Sequence, residues 1–460
     1  MRAIIAFVVL VGLLLPTVAL PSSPAPEDPP VTSDLIVQRI IESVLADEHP
    51  VERLQELCDV IGPRLCGSEN MDRGIAWAMA QLKADGMDVV RAEPVMVPHW
   101  VRGEERAEVI APWHHDLPLL GLGGSIGTPE EGIEAEVMVV SDFDELEARA
   151  DEAAGRIVLF NPPWEGYGKT VQYRVKGADA AAKHGAVACL IRSVTQSTYG
   201  PPHTGVMRYT DEEGVPRIPA AAIRVEDAAR MERQHRRGLP VRVRLEMGAQ
   251  RLPDVEQANV VADLIGREKP EEIVLVSGHF DSWDVGDGAH DDGASCVLAM
   301  EVARQLKKLD LRPRRTVRVV LWIDEEMTQT GAKAYMLAHA DEVDRHVAAM
   351  ESDSGCFAPA GWSVRGDSTT VALVAEMAVP LAVLGADDVS EGWAGVDVRP
   401  LNEAGVPGIG HRTQNDEYFL YHHSPADTYD KVDPDHVKAN AAAMTALIWM
   451  LAEAEDPLPR

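Results

Sequence analysis

Three apolar runs in the second half of the chain end in histidine or carboxylate. Ile273–Ser277 is followed by Gly278-His279-Phe280-Asp281 and then by Gly288-Ala289-His290-Asp291-Asp292-Gly293. Thr316–Ile323 leads into Asp324-Glu325-Glu326, and Val347–Met350 into Glu351-Ser352-Asp353. Farther on, Tyr421-His422-His423-Ser424 adds two imidazoles. Imidazole and carboxylate without thiolate suit Zn²⁺ in a catalytic site, or Mn²⁺ or Co²⁺ in its place. A pair of such ions ~3.5–4 Å apart needs one bridging carboxylate and terminal ligands on each side. Asp291 fits as the bridge, His279 and Asp353 as ligands of one ion, and Glu326 and His423 as ligands of the other. Glu325 is left free to act as general base on a shared water, and Asp281 is placed to orient His279 through its second ring nitrogen. His422 or Tyr421 is a candidate donor to an oxyanion.

Each cluster alone has a plainer reading. A His-x-Asp pattern is weak, and a Glu-Glu pair after a strand is ordinarily a helix N-terminus that favours negative charge. Their recurrence at successive strand ends is what outweighs this reading.

Such a site needs strands whose carboxyl ends share one crevice. The sequence from about 251 onward supplies them: short apolar runs alternate with the amphipathic segment Ala294–Lys308, and Pro434 opens a long final helix, Asp435–Glu453. That rhythm predicts a mostly parallel sheet covered on both faces, with chemistry beyond its carboxyl ends. Residues 34–46 and 69–85 carry helical apolar spacing. Between 117 and 250 the texture differs. The runs Ala135–Val140, Arg156–Phe160, Ala188–Arg192, Ala220–Val225 and Val241–Met247 are separated by Gly/Pro turns, with helix-like segments at Gly177–His184 and Glu226–His235. This stretch reads as a separate mixed β domain.

A chain of 460 residues is long enough for two domains. Its net charge of −31 excludes nucleic acid and anionic membranes as partners, since both require a basic surface. Met1-Arg2, the apolar run Ala3 to Leu15 and the small residues Thr17-Val18-Ala19 have the layout of a secretory signal peptide over 1–19. The run is broken at Pro16, short of the ~20 residues a membrane span needs, so no stable membrane insertion is expected after cleavage. The Pro-rich stretch 20–33 reads as a disordered leader. The implied location is secreted or periplasmic. Five cysteines are too few for a disulfide scaffold; Cys58 and Cys66 are near enough to pair, but buried thiols are the simpler reading.

At these residues the chain resembles the di-zinc exopeptidase family of plasma glutamate carboxypeptidase (carboxypeptidase Q) and, more distantly, the bacterial leucyl aminopeptidases. Gly278 through Gly286, Gly288 through Gly293, Glu325-Glu326, Met350 through Asp353 and His422 through Thr428 look like the family's successive metal motifs. The intervals between His279, Asp291, Asp353 and His423 agree as well. Further similarity at Ile61-Gly62-Pro63-Arg64-Leu65, Val95–Trp100, Gly177–Ser193 and Ala404–Gly408 extends the resemblance over roughly 35–455. It implies an α/β zinc-exopeptidase domain with a central mixed, mostly parallel sheet flanked by helices, split into 34–116 and 251–460 by a β-rich protease-associated domain at 117–250. It also implies two Zn²⁺ per chain, a homodimer, and hydrolysis of dipeptides or short peptides with free termini. The sequence departs from the pattern after the Glu-Glu pair, where Met327-Thr328-Gln329-Thr330 precedes Gly331, and it matches least over 361–394. Carboxypeptidase, dipeptidase and aminopeptidase activity remain open, since the choice depends on whether the pocket grips a carboxylate or an ammonium. Every ligand position is filled, which argues against an inactive, receptor-like relative.

Overall fold

Apolar residues on the central strands alternate between two helix-covered faces, and this alternation builds the main sheet. In the computed structural model, which describes residues 33–460, Val274 and Val276 of the strand Lys269–His279 enter one core while Leu275 enters another. Val317, Val319 and Leu321 of Arg315–Trp322 join the first core; Val320 and Trp322 join the second. Helices Ala294–Lys308 and Pro434–Glu453 cover the first face, and Thr330–Ala338 contributes Tyr335 to the other. The start of the final helix is set by two residues. Asp433 accepts the Asp435 N–H as its cap, and Pro434 occupies the first turn, where its missing N–H costs nothing. Glu69–Ala84 is capped likewise by Ser68, which accepts from the Met71 N–H.

The main sheet has eight strands in the order Val89–Val101, Gln250–Leu264, Arg315–Trp322, Lys269–His279, His346–Ser352, Gly408–Thr413, Pro359–Arg365, Val389–Glu391. Lys269–His279 runs parallel to both neighbours, and His346–Ser352 is parallel to Gly408–Thr413. The two long strands at one edge are antiparallel, so the sheet is mixed with a parallel centre. In this register His279 lies opposite Trp322 and Ser277 opposite Glu351. His279, the turn beginning at Asp324, and Asp353 therefore emerge at the same edge.

A second mixed sheet, also eight-stranded, is built from Glu105–Ala111, His115–Asp116, Leu119–Gly121, Ile133–Val140, Ile157–Phe160, Ala188–Arg192, Ala220–Ile223 and Arg242–Met247. It begins at Glu105, ahead of the 117 boundary read from the sequence. Glu105–Ala111 mixes charged and apolar residues and pairs antiparallel with Arg242–Met247; only Ala107 and Val109 are buried, so it lacks the continuous apolar run that marks the others. The chain leaves the main sheet at Val101 and returns at Gln250, and these two residues are paired. Just beyond them, a Cβ on Gly103 would stand 2.5 Å from the Gly248 carbonyl oxygen, so the two crossings touch through glycine.

The expected signal peptide 1–19 and most of the leader 20–33 lie outside the described residues. Among the described residues no helix is long and apolar enough to cross a membrane. All five cysteines are buried free thiols, and Cys58 and Cys66 are not joined.

Leu298 is fully buried between the main sheet and its covering helices. Leu298→Ala is expected to cost about 2–5 kcal/mol, the range for a buried leucine truncation that leaves a cavity, read as a lower urea midpoint at unchanged slope.

Candidate metal centre

The strand ends converge on one crevice, and within it the Asp291 carboxylate lies between two imidazoles. Its Oδ1 is 3.1 Å from His279 Nε2, and its Oδ2 is 3.3 Å from His423 Nε2. Asp353 Oδ1 approaches His279 Nε2 to 3.7 Å, and Glu326 Oε2 approaches His423 Nε2 to 3.0 Å. The structure thus brings His279, Asp291, Glu326, Asp353 and His423 together in one crevice. His423 holds its place with a left-handed φ of 61°, an uncommon conformation for a non-glycine residue that marks a position fixed by its surroundings.

Local hydrogen bonds explain how each side chain is aimed. His279 Nδ1 lies 2.9 Å from the Asp281 backbone carbonyl, an arrangement that directs Nε2 towards the carboxylates. The Asp281 carboxylate is 3.9 Å from that nitrogen, which corrects the expectation that it orients His279. It accepts instead from the backbone N–H groups of Glu325 and Glu326, at 3.1 and 3.2 Å. Asp281 therefore fixes the turn carrying the candidate base and its neighbouring ligand, while the orienting task falls to its own carbonyl. Asp427 does the same for the bridging segment, accepting from the N–H groups of His290 and Asp291. Trp283 Nε1 donates to Glu326 Oε2 at 2.6 Å, and the Trp283 ring packs so closely on Gly123 of the second-sheet segment that a Cβ there would lie 2.1 Å from it.

The donor set fits a metal pair. Asp291 Oδ2 and Glu326 Oε1 are buried without a hydrogen-bond partner, and uncompensated buried carboxylate oxygens are costly unless a cation meets them. Two trios of donor atoms lie within 4.8 Å of one another: Asp291 with His422 and His423, and His279 with Asp292 and Asp353. These trios bring in two residues not assigned as ligands from the sequence. Asp292 already uses Oδ2 to accept the His279 N–H, which suits it to holding the strand end. His422 stacks on His423 with ring centroids 3.5 Å apart and lies 3.7 Å from Asp291 Oδ2. Burial, and then the neighbouring His423, push its pKa well below the usual histidine range, so it is a neutral ring on the cavity wall. Tyr421, the other oxyanion candidate, faces away, with its hydroxyl near Glu417 and its ring stacked on His290; Tyr418 lines the cavity instead.

Glu325 also lines the cavity. Burial raises its pKa well above the carboxylate range; His279 opposes this, while Glu326, Asp353 and Asp281 reinforce it. The departure after the Glu-Glu pair is a knot of turns: Asp324 accepts from the backbone and hydroxyls of Thr328 and Thr330. Gly331 is required where the chain leaves it, because a Cβ there would meet the Ile323 carbonyl at 2.2 Å.

Residues 259–448, which contain every site residue assigned from the sequence, match Peptidase family M28. The chain is 46% identical over 409 residues to carboxypeptidase Q of Mus musculus, covering 89% of this chain and 87% of that protein. The chain belongs to peptidase family M28. A peptidase M28 precursor from Shewanella amazonensis SB2B shares its fold with a TM-score of 0.89 at 35% identity, over 93% of this chain and 98% of that one. Aminopeptidase YwaD of Bacillus subtilis (strain 168) is 23% identical over 431 residues, 89% of this chain and 85% of that protein. As an M28 member the protein is a metallopeptidase, with both carboxypeptidase and aminopeptidase relatives.

Metal uptake by this site must be coupled to protons. In the metal-free protein, burial lowers the His279 pKa, but Asp291 and Asp353 outweigh it and hold the pKa well above 6.5. A metal that binds at Nε2 competes with protons for that nitrogen. Metal uptake at pH 7 is expected to release protons and to weaken as pH falls, as measured by calorimetry in buffers of different ionisation enthalpy. Asp281→Asn sets an amide against two backbone N–H groups and is expected to weaken metal affinity about 10–100-fold, measured by competition with a chelator.

Proposed function

We propose that the protein is a secreted di-zinc exopeptidase of carboxypeptidase Q type, hydrolysing dipeptides or short peptides. His279 and Asp353 would hold one ion and Glu326 and His423 the other, with Asp291 placed between the two imidazoles to serve both. The observation that supports this reading is the Asp291 carboxylate, which faces an imidazole with each oxygen and has its Oδ2 buried without a hydrogen-bond partner. When bound, the metals supply an acidified water and polarise the scissile carbonyl.

The chain's own residues do the rest. Glu325 takes a proton from the attacking water on its carboxylate and returns it to the leaving amine. Asp281 keeps Glu325 and Glu326 in register through their N–H groups. The neutral ring of His422 at the cavity wall is the candidate donor to the developing oxyanion. The cavity, about 300 Å³, is at the small end of ligand sites, which favours a peptide of few residues over a folded chain.

In this reading the second-sheet unit, bounded by the paired Val101 and Gln250, is a protease-associated domain inserted into the catalytic domain. The charged start and apolar run of residues 1–19 support secretion. The homodimer is carried over on the family resemblance alone.

Glu325→Gln tests the assignment of the base. The variant is expected to keep a metal content near two per chain, read by elemental analysis, and to lose about 10²–10⁴-fold in kcat on an unblocked dipeptide. Retained turnover would remove Glu325 from the role.

A further inference from the structure

Beyond the candidate ligands and the base, the cavity wall has two sources. Arg174 and Arg208 come from the second-sheet unit, and Met327, Gln329 and Val396 come from loops of the main-sheet unit. The two main-sheet loops meet, because Arg399, just beyond Val396, reaches Gln329. Met327 is buried, and a Cβ on Gly123 would lie 3.1 Å from its Sδ. Val396 is half-buried. Gln329 is thus the one polar side chain that these loops, past the Glu325-Glu326 pair, give to the wall.

Gln329 adopts a left-handed backbone conformation, φ 59° and ψ 36°, just before the helix Thr330–Ala338. Glycine takes that conformation freely, whereas a residue with a Cβ is strained in it. The loop imposes it. The Gln329 N–H donates to the Asp324 carbonyl, and the N–H and hydroxyl groups of Thr328 and Thr330 on either side donate to the Asp324 carboxylate. Glycine would serve this backbone better, so a long amide held there points to a use for its side chain.

That side chain is also oriented. Arg399 Nη2 donates to Gln329 Oε1 at 3.0 Å. A guanidinium can only donate, so it fixes which end of the amide faces it. The NH2 group is left at the other end, and among the described residues no acceptor meets it. Because the half-buried residue lines the cavity, these donors are available to whatever occupies it.

We infer that Gln329 determines specificity by donating an amide N–H to an acceptor on a side chain of the bound peptide. The site then takes Asn, Asp, Gln or Glu in preference to apolar residues of the same shape. Met327 and Val396 suit the hydrocarbon stem of such a side chain, and the Arg399 charge behind the amide polarises its N–H groups. The inference rests on the exopeptidase reading above and adds the class of side chain that the site prefers.

The test is a ratio measured within each protein. kcat/KM is determined for dipeptides of alanine with Leu, Asn, Asp or Lys, placed in turn at either end, on the metal-loaded parent, Gln329→Met and Gln329→Glu proteins. Leu and Asn have nearly the same shape, and their ratio cancels any general loss of activity or folding. The parent is expected to favour Asn and Asp over Leu about 3–10-fold in one of the two series, as for one neutral hydrogen bond. Gln329→Met should bring the Asn-to-Leu ratio close to one. Gln329→Glu keeps a partner for Arg399 but replaces the donor by an acceptor, and should raise Lys above Asp. Equal rates for Asn and Leu in the parent, or ratios unchanged in both variants, overturn the inference, while dipeptide turnover keeps the exopeptidase reading. If the parent turns over no dipeptide, that reading falls, and calorimetric binding of the same peptides to the three proteins decides the role of Gln329 by the same ratios.

Discussion

The constraint that organises this protein is the crowding of carboxylates at one sheet edge. Asp281, Asp291, Asp292 and Glu326 are all buried, Asp353 and Glu325 lie beside them, and Glu351 and Asp427 stand close behind. Like charges removed from water repel and cannot all ionise unless something positive meets them. The chain divides the task. Asp281, Glu351 and Asp427 are each met by backbone N–H groups: those of Glu325 and Glu326, of Val396 through Val398, and of His290 and Asp291. Those bonds turn three of the carboxyl groups into clamps on three loops. Asp291 and Glu326 lie against His279 and His423, each with one oxygen buried without a hydrogen-bond partner, where a cation can balance them.

Much of this was legible in the sequence because the signal is one-dimensional. An apolar run, then a ligand, repeated along the chain, fixes both the strand and the end on which its chemistry sits; Lys269–His279 and Arg315–Trp322 follow that rule. What the sequence concealed depends on contacts between distant segments or on the choice among atoms of one residue. Nothing in His-x-Asp says that the Asp281 carbonyl, rather than its carboxylate, meets the imidazole. The strand Glu105–Ala111 is half-exposed and charged, so its membership in the second sheet shows only in its pairing. The helix expected from Gly177 starts at Tyr167, because Gly166 offers no capping side chain to announce it. Arg174 and Arg208 look like ordinary surface arginines until the fold turns them towards the cavity.

The second-sheet unit is therefore part of the site's construction. Thr204 donates its N–H to the His423 carbonyl, His203 Nδ1 pairs with the His422 carbonyl, and Thr195 bonds the Phe419 carbonyl. Arg102 forms an ion pair with Asp284, and Gly123 seats the Trp283 ring that in turn holds Glu326. The loop bearing two adjacent histidines is thus pinned by the second-sheet unit, while the main sheet supplies the other candidate ligands.

The pairing of Val101 with Gln250 has a consequence for how such a scaffold diversifies. Because departure and return are neighbours on one ladder, the host sheet is topologically complete without the intervening chain. A chain that shortened or exchanged that module would keep this strand order, but would have to replace the contacts the module makes to the His422-His423 loop and to Trp283. What would change with it is the wall that this unit gives the cavity. Exchange of the module would therefore alter the cavity wall and the support of two candidate ligands together.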